Sequence, residues 1–170
     1  MTNLKHHWMM IGILVATLAG CNNESEQETT NVDGSLYQLT AEPAGAISIL
    51  ELRSGAKDND EVVVVGRIGG SRQPWIKGLP AFTMMDTSFP PCNELPEDQC
   101  PTPWDYCCEA ELPTKQTLIK VVDNEGQPLE VGAQELLGLK ELQTIVVQGK
   151  VQLDQAGNMS VLASGVYIRR

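Results

Sequence analysis

The chain contains the run Glu61-Val62-Val63-Val64-Val65-Gly66-Arg67-Ile68, in which four β-branched residues follow one another. β-Branched side chains favour extended backbone, and a continuous apolar run predicts a strand buried on both faces at its start. A related run, Ile145-Val146-Val147-Gln148-Gly149-Lys150-Val151, lies near the other end of the chain. Each run carries a glycine, Gly66 or Gly149, and a glycine within a strand permits a sharp bend. The two runs therefore predict strands that curve around a small barrel.

Three further strands and two short helical segments complete the predicted fold. Apolar patterning predicts strands at residues 61–68, 81–86, 117–123, 143–153 and 160–168. A turn-rich stretch at residues 154–158 joins the last two strands into a hairpin. A short helix is expected at residues 44–54, and a helical turn broken by Gly138 at residues 133–142.

This order of elements is that of a small closed β-barrel, and the chain resembles the OB-fold. The runs at residues 61–68 and 145–151 carry the resemblance, as the first and fourth strands of such a barrel. The resemblance implies a mainly β domain over residues 35–170, folded as a five-stranded Greek-key barrel with one or two short helices. An immunoglobulin-like sandwich shows similar runs, but about seven strands would be expected there.

Charge argues against one ligand that the OB-fold often binds, a nucleic acid. A nucleic-acid binder needs a basic stripe and aromatic side chains that stack on bases. The chain has a net charge of −10, and its second predicted strand offers only Phe82 as an aromatic residue. Nucleic acid is therefore not an expected partner.

The N-terminus carries a targeting signal. An apolar run at residues 8–18 leads into Leu18-Ala19-Gly20-Cys21, which resembles the lipobox of a bacterial lipoprotein. The run is too short to span a bilayer, which needs about 20 apolar residues. The resemblance implies cleavage before Cys21, acylation of Cys21 with palmitate-like chains and anchoring in the cell envelope. In some lipoprotein families, an aspartate directly after the lipidated cysteine keeps the protein in the inner membrane. This chain has Asn22 at that position, so we expect it in the outer membrane. An ordinary secretory signal is the alternative.

Three segments follow from this signal: a signal peptide at residues 1–20, the lipidated cysteine with an acidic tether at residues 21–34, and the barrel domain at residues 35–170. The tether has four acidic residues and no basic one, a composition that cannot bury enough apolar surface to order itself. Cleavage removes Lys5 and both histidines, leaving 11 basic and 22 acidic residues, a net charge of −11. Loss of the histidines excludes imidazole-based catalysis and histidine ligation of zinc, so we expect no enzyme.

Four of the five cysteines lie in an insertion at residues 89–113, between the second and third predicted strands: Cys92, Cys100, Cys107 and Cys108. The insertion is rich in proline and has no regular pattern, so covalent or coordinate bonds are expected to fix it. The stretch Cys100-Pro-Thr-Pro-Trp-Asp-Tyr-Cys-Cys108 resembles segments of uncharacterised exported proteins of planctomycete-like bacteria. That resemblance implies no activity.

The four cysteines support three interpretations. An even number in an oxidising compartment predicts two disulfides, each contributing roughly 3 kcal/mol for a loop of about 15 residues. A Cys107–Cys108 bridge needs a strained eight-membered ring, so Cys92 and Cys100 are expected to pair with the vicinal residues, in an order left open. The second interpretation is a four-thiolate site for zinc, copper(I) or an iron–sulfur cluster, although the spacing contains no C-x-x-C knuckle. The third is a redox-active vicinal pair.

Charge and aromatic residues also concentrate near this insertion. Residues 86–111 hold seven acidic residues and no basic one, whereas residues 62–85 hold three basic residues and no acidic one. We expect the basic loop at residues 69–78 to pack beside the acidic insertion. The alternative is an exposed anion or partner patch, and the aromatic residues would either seal the barrel end or belong to that patch. The candidate patch residues are Arg72, Trp75, Lys77, Trp104 and Tyr106.

These patterns together predict a monomeric, non-enzymatic envelope module, anchored in the membrane by lipid, that binds a ligand or assembles with an envelope protein. No cofactor is expected on this interpretation. The first alternative is a metal-binding protein that uses the four cysteines of the insertion. The second alternative is a thiol-redox protein that uses Cys107 and Cys108.

Overall fold

Five strands close into a barrel in the order β1-β2-β3-β5-β4. The computed structural model describes residues 32–96 and 100–170; the expected signal peptide, Cys21 and most of the tether lie outside the described residues. The strands are β1 (Glu61–Ile68), β2 (Ala81–Met85), β3 (Gln116–Val121), β4 (Thr144–Leu153) and β5 (Met159–Ile168). The helices are α1 (Ile49–Gly55), α2 (Leu112–Lys115) and α3 (Ala133–Leu137). The prediction of a mainly β, OB-like barrel is confirmed, with each strand within two residues of its expected bounds.

The strand pairing closes the barrel. β1 pairs antiparallel with β2 and β4, β2 pairs antiparallel with β3, and β4 pairs antiparallel with β5. β3 and β5 lie parallel, with Leu118 opposite Ser160. No helix in the described ranges has both the length and the apolar character needed to cross a membrane.

The first half of β1 is covered by an extended segment that precedes α1. The Ile47 N–H donates to Val63 O at 2.9 Å, and the Val65 N–H donates to Ile47 O at 3.0 Å. Because this segment pairs with β1, the helix predicted at residues 44–54 begins only at Ile49, capped by Ser48 Oγ on the Glu51 N–H at 3.1 Å. The expected burial of both faces at the start of β1 is wrong, since only Val64 is fully buried there.

Helix α3 buries three apolar side chains in the core: Ala133, Leu136 and Leu137. The break predicted at Gly138 is its C-cap, in the left-handed conformation at φ 65°, with the Gly138 N–H donating to Gln134 O at 2.9 Å. Phe82, Ile119 and Val147 belong to the same core.

Strand β2 is buried on both of its faces. Met84 belongs to the barrel core, whereas Met85, equally buried, lies outside that core and close to Gly70. A strand with both faces covered carries further structure on its outer side. Part of that structure is the loop that joins β1 to β2, since Gly70 lies against Met85.

Gly149 lies where the backbones of β4 and β5 approach each other closely. A β-bulge interrupts the β4–β5 register between Gln148 and Gly149. A Cβ atom on Gly149 would lie 2.1 Å from Leu162 O and 2.9 Å from Ala163 Cα. Only glycine fits this approach, because the colliding atoms are backbone and cannot rotate away.

We predict that Gly149→Ala lowers the free energy of unfolding by about 2 kcal/mol or more, because the added methyl group forces the two strands apart. Gly55→Ala is the matched control, since that glycine ends α1 with open space around it. The control should leave stability unchanged or raise it by up to about 1 kcal/mol. Urea unfolding measures the free energy of unfolding of both variants. Equal effects of the two substitutions would contradict the close backbone contact at Gly149.

Candidate metal centre

The cysteine segment, residues 86–115, lies against the β1–β2 loop. The Gly70 N–H donates to Trp104 O at 2.8 Å, and Trp104 Nε1 donates to Arg72 O at 3.2 Å. An ion pair joins Arg67 to Glu94 with a nitrogen–oxygen distance of 3.2 Å. The expected packing of the basic loop beside the acidic insertion is therefore confirmed.

Short helical turns organise the interior of the segment. Two of them are 3₁₀ turns, Cys92–Glu94 and Pro103–Asp105, and α2 ends the segment. Tyr106 follows the second turn in the left-handed conformation, at φ 52°. This reversal brings Cys107 back toward the residues before the turn. None of these turns was predicted, because a single turn is too short to show a hydrophobic period.

Lys115 contacts residues near both ends of the segment. Its ammonium group forms an ion pair with Glu109 and lies 4.6 Å from the centre of the Phe89 ring. Phe89 begins the insertion and Lys115 lies just after its end, so this cation–π contact joins the chain on its two sides.

Four donor side chains converge inside the segment. Ligand atoms of Cys92, Cys100, Asp105 and Cys107 all lie within 4.8 Å of one another, near enough to hold a metal ion. The Cys100 and Cys107 sulfurs are 3.8 Å apart, and the Cys107 and Cys108 sulfurs are 3.9 Å apart. With metal–sulfur bonds of about 2.3 Å, tetrahedral geometry separates two bound sulfurs by about 3.8 Å. A disulfide needs about 2.05 Å, so the predicted disulfide pairing remains a prediction.

Asp105 is held in place by its own loop. Its Oδ2 accepts a hydrogen bond from Thr102 Oγ1 at 2.8 Å, and its Oδ1 accepts one from the Cys107 N–H at 3.0 Å. Burial opposes ionisation of this carboxyl group, but these hydrogen bonds and the charge of Arg72 outweigh it and lower the pKa of Asp105. Since an ionised carboxylate has about four acceptor positions, Asp105 keeps capacity for a cation.

The donors differ in their exposure. Cys92 is 1% exposed and Asp105 7%, whereas Cys100 is half-buried and Cys107 is exposed. Cys108, the fourth predicted cysteine ligand, is also exposed and lies outside the set of four. The cluster thus has a buried inner side and an outer side that faces solvent.

Thiol pKa values reflect this crowding. Burial raises the pKa of Cys92, although the backbone N–H groups of Cys107 and Cys108 act against this effect. Hydrogen bonds with Cys100 and Cys108 raise the pKa of Cys107. A thiol with a raised pKa is a poor nucleophile at neutral pH.

Tyr106 lies beneath the cluster. It is 1% exposed, and its hydroxyl group lies close to the Arg67 guanidinium. Burial raises its pKa, with the Arg67 charge acting in the opposite direction. A pocket of about 50 Å³ beside the ring is lined by Pro90, Cys92, Leu95, Tyr106, Cys108 and Glu109.

The residues proposed as an exposed patch do not all reach the surface. Tyr106 is buried, so it cannot contribute to an exposed patch. Trp75 packs on Phe82 with ring centres 5.8 Å apart and donates from Nε1 to Glu141 Oε1 at 2.5 Å. Arg72 and Lys77 are exposed, and Arg72 contacts Trp104 through its backbone oxygen. The aromatic side chains therefore contact the protein itself.

Sequence reasoning missed Asp105 as a donor. Its signal is local: Thr102, Asp105 and Cys107 have the spacing of a side-chain-capped turn, which directs the carboxylate toward the backbone of the following cysteine.

Comparison with models of known protein families finds no match to the chain, and comparison with curated proteins finds none either. Function therefore follows from the chemistry of the site.

The segment begins at a buried carboxylate, Asp86, which is 1% exposed. Its Oδ2 accepts from the Leu50 N–H at 2.9 Å, at the start of α1. Its Oδ1 accepts from the Ser88 N–H at 2.9 Å and from Ser88 Oγ at 2.7 Å. Burial raises the pKa of Asp86, but these hydrogen bonds outweigh burial and the net pKa is lowered. Asp86 thus joins α1 to the start of the cysteine segment.

We predict that ionised Asp86 adds to the free energy of unfolding above its unfolded-state pKa, about 3.9. This contribution is lost as pH falls through the lower folded-state pKa of Asp86. The unfolded chain binds more protons in this range, so stability rises with pH. Asp86→Asn should be less stable at pH 7 and show a shallower loss in acid. Urea unfolding between neutral and acid pH tests this, with exposed Glu130→Gln as the control that follows the wild-type curve. If the stability of Asp86→Asn falls with pH in parallel with that of the wild type, ionised Asp86 is not the group responsible.

Proposed function

We propose that the chain is a lipid-anchored, non-enzymatic envelope protein that binds one thiophilic metal ion, Zn²⁺ or Cu⁺. The proposed ligands are Cys92, Cys100, Cys107 and Asp105. The observation that carries the proposal is the convergence of these four donors within 4.8 Å. Three sulfurs and one carboxylate oxygen form a donor set suited to tetrahedral zinc, and the sulfurs alone suit copper(I).

Hydrogen bonds orient the buried donors. The backbone N–H groups of Cys107 and Cys108 hydrogen-bond to the Cys92 sulfur and partly offset the burial that raises its pKa. Hydrogen bonds to ligand sulfurs orient such ligands and stabilise the charge they carry. The Thr102 hydroxyl does the same for Asp105. Each buried donor therefore has a partner of its own that fixes its direction.

Two disulfides are the competing use of the same cysteines, favoured by the envelope address that the N-terminus predicts. For one of the expected pairs, Cys100 and Cys107, this second candidate needs the sulfurs to approach by almost 2 Å from their present separation of 3.8 Å. It leaves the position of Asp105 among the sulfurs without a role in binding.

We predict that Zn²⁺ at 100 times its dissociation constant raises the free energy of unfolding by about 2.7 kcal/mol, because it binds only the folded cluster. Cys107→Ser should abolish the effect. Cys108→Ser is the matched control, since it removes an adjacent, equally exposed thiol that lies outside the four donors. Thermal unfolding with and without Zn²⁺ measures the shift in the full chain, reduced before metal is added.

An equal zinc effect in the two variants would contradict the proposed ligand set. Absence of any effect of either Zn²⁺ or Cu⁺ on the wild-type chain would contradict metal binding itself and favour the disulfide function.

Lipid anchoring is tested separately at Cys21. Several acyl chains on one residue give stable anchoring, at roughly 0.8 kcal/mol per buried methylene. We predict that the wild-type protein sediments with membranes, whereas Cys21→Ser does not carry the lipid. Metabolic labelling with a palmitate analogue reads out the modification directly, and a labelled Cys21→Ser protein would contradict the anchor.

A further inference from the structure

One thiol beside the cluster has no place in the proposed ligand set. Cys108 is exposed, its sulfur lies 3.9 Å from the Cys107 sulfur, and it lines the 50 Å³ pocket together with Cys92. It therefore flanks two of the proposed ligands without belonging to the four converging donors. The 3.9 Å separation is also close to the distance of about 3.8 Å between two sulfurs on one tetrahedral ion. A small movement brings Cys108 onto an ion held by Cys107.

Asp105 is the donor best suited to leave the ion. Its two oxygens accept hydrogen bonds from Thr102 Oγ1 and from the Cys107 N–H. These bonds remain when a metal–oxygen bond breaks, so the released carboxylate is not left buried without partners. An oxygen donor is also a weaker ligand than sulfur for a soft ion.

We infer that Cys108 is an exchange ligand: it replaces Asp105 on the bound ion, and the ion enters and leaves the site through the exposed Cys107–Cys108 face. The inference rests on the proposed metal-binding function. It assigns the site to transfer of a thiophilic ion to or from a thiol-bearing or chelating acceptor, and not to permanent structural binding.

The exchange step balances without any change of oxidation state. The Cys108 thiol gives its proton to solvent, and its sulfur forms a bond to the ion as the metal–oxygen bond to Asp105 breaks. Cys92 is buried and holds the ion from the inner side, while Cys107 and Cys108 are exposed on the outer side. An acceptor that approaches from solvent therefore meets the cysteines of the outer side first.

The test is the rate of zinc release from the full, zinc-loaded chain to an excess of a chromophoric chelator. Wild type is compared with Cys108→Ser and with Asp105→Asn, and the zinc content of each protein is measured before mixing. We expect Cys108→Ser to hold one zinc ion and to release it roughly tenfold more slowly, since the entering ligand is gone. Asp105→Asn should release zinc at least as fast as wild type, because a neutral amide oxygen binds the ion more weakly than a carboxylate and leaves it more readily.

Two results would overturn the inference while leaving the metal site in place. Release from Cys108→Ser at the wild-type rate would show that Cys108 takes no part in exchange. If Cys108→Ser is folded by circular dichroism but holds no zinc, then Cys108 is a permanent ligand and not an exchange ligand. A wild-type chain that holds no zinc would overturn the proposed function together with the inference.

Discussion

The close approach of the β1–β2 loop to the cysteine segment is the contact on which the rest of the site depends. The Gly70 N–H donates to Trp104 O at 2.8 Å, and a Cβ atom on Gly69 would lie 2.5 Å from the same oxygen. Only a residue without a side chain allows two backbones to come this near. The approach places the turn that contains Asp105 against the barrel, with Tyr106 buried beneath it. A proline-rich insertion thereby acquires fixed positions for its donors without regular secondary structure.

The barrel contributes a rigid support, and the insertion contributes the chemistry. Strand β2, buried on both faces, leads directly into the start of the segment. Asp86 then connects that start to α1 through a hydrogen bond. The donors then fall into an inner pair, Cys92 and Asp105, and an outer pair, Cys100 and Cys107. Buried Cys92 suits retention of an ion, whereas Asp105 keeps its own hydrogen-bond partners when it leaves the ion, and the exposed outer side suits exchange. The proposed binding and transfer roles follow from this division.

Patterning predicted the barrel well because each strand depends on local composition. The valine run of β1, the hairpin of β4 and β5 and the helix stop at Gly138 all reflect local preferences. The late start of α1 was not predictable, since it depends on Ile47 pairing with a strand distant in sequence. Spacing identified the cysteines of the site as one group, but it did not place Asp105 among them. The left-handed turn at Tyr106 and the hydrogen bond from Thr102 do so. Turn conformation and side-chain hydrogen bonds, and not periodicity, decide which donors converge.

The most direct test of the account is a native mass spectrum of the mature, lipidated chain, purified from cells in detergent without reductant or chelator. The account predicts one metal ion per chain and four thiols that react with alkylating reagent once the ion is removed by acid. A metal-free mass about 4 Da below that of the reduced chain would contradict it, because two disulfides would then occupy all four cysteines of the segment.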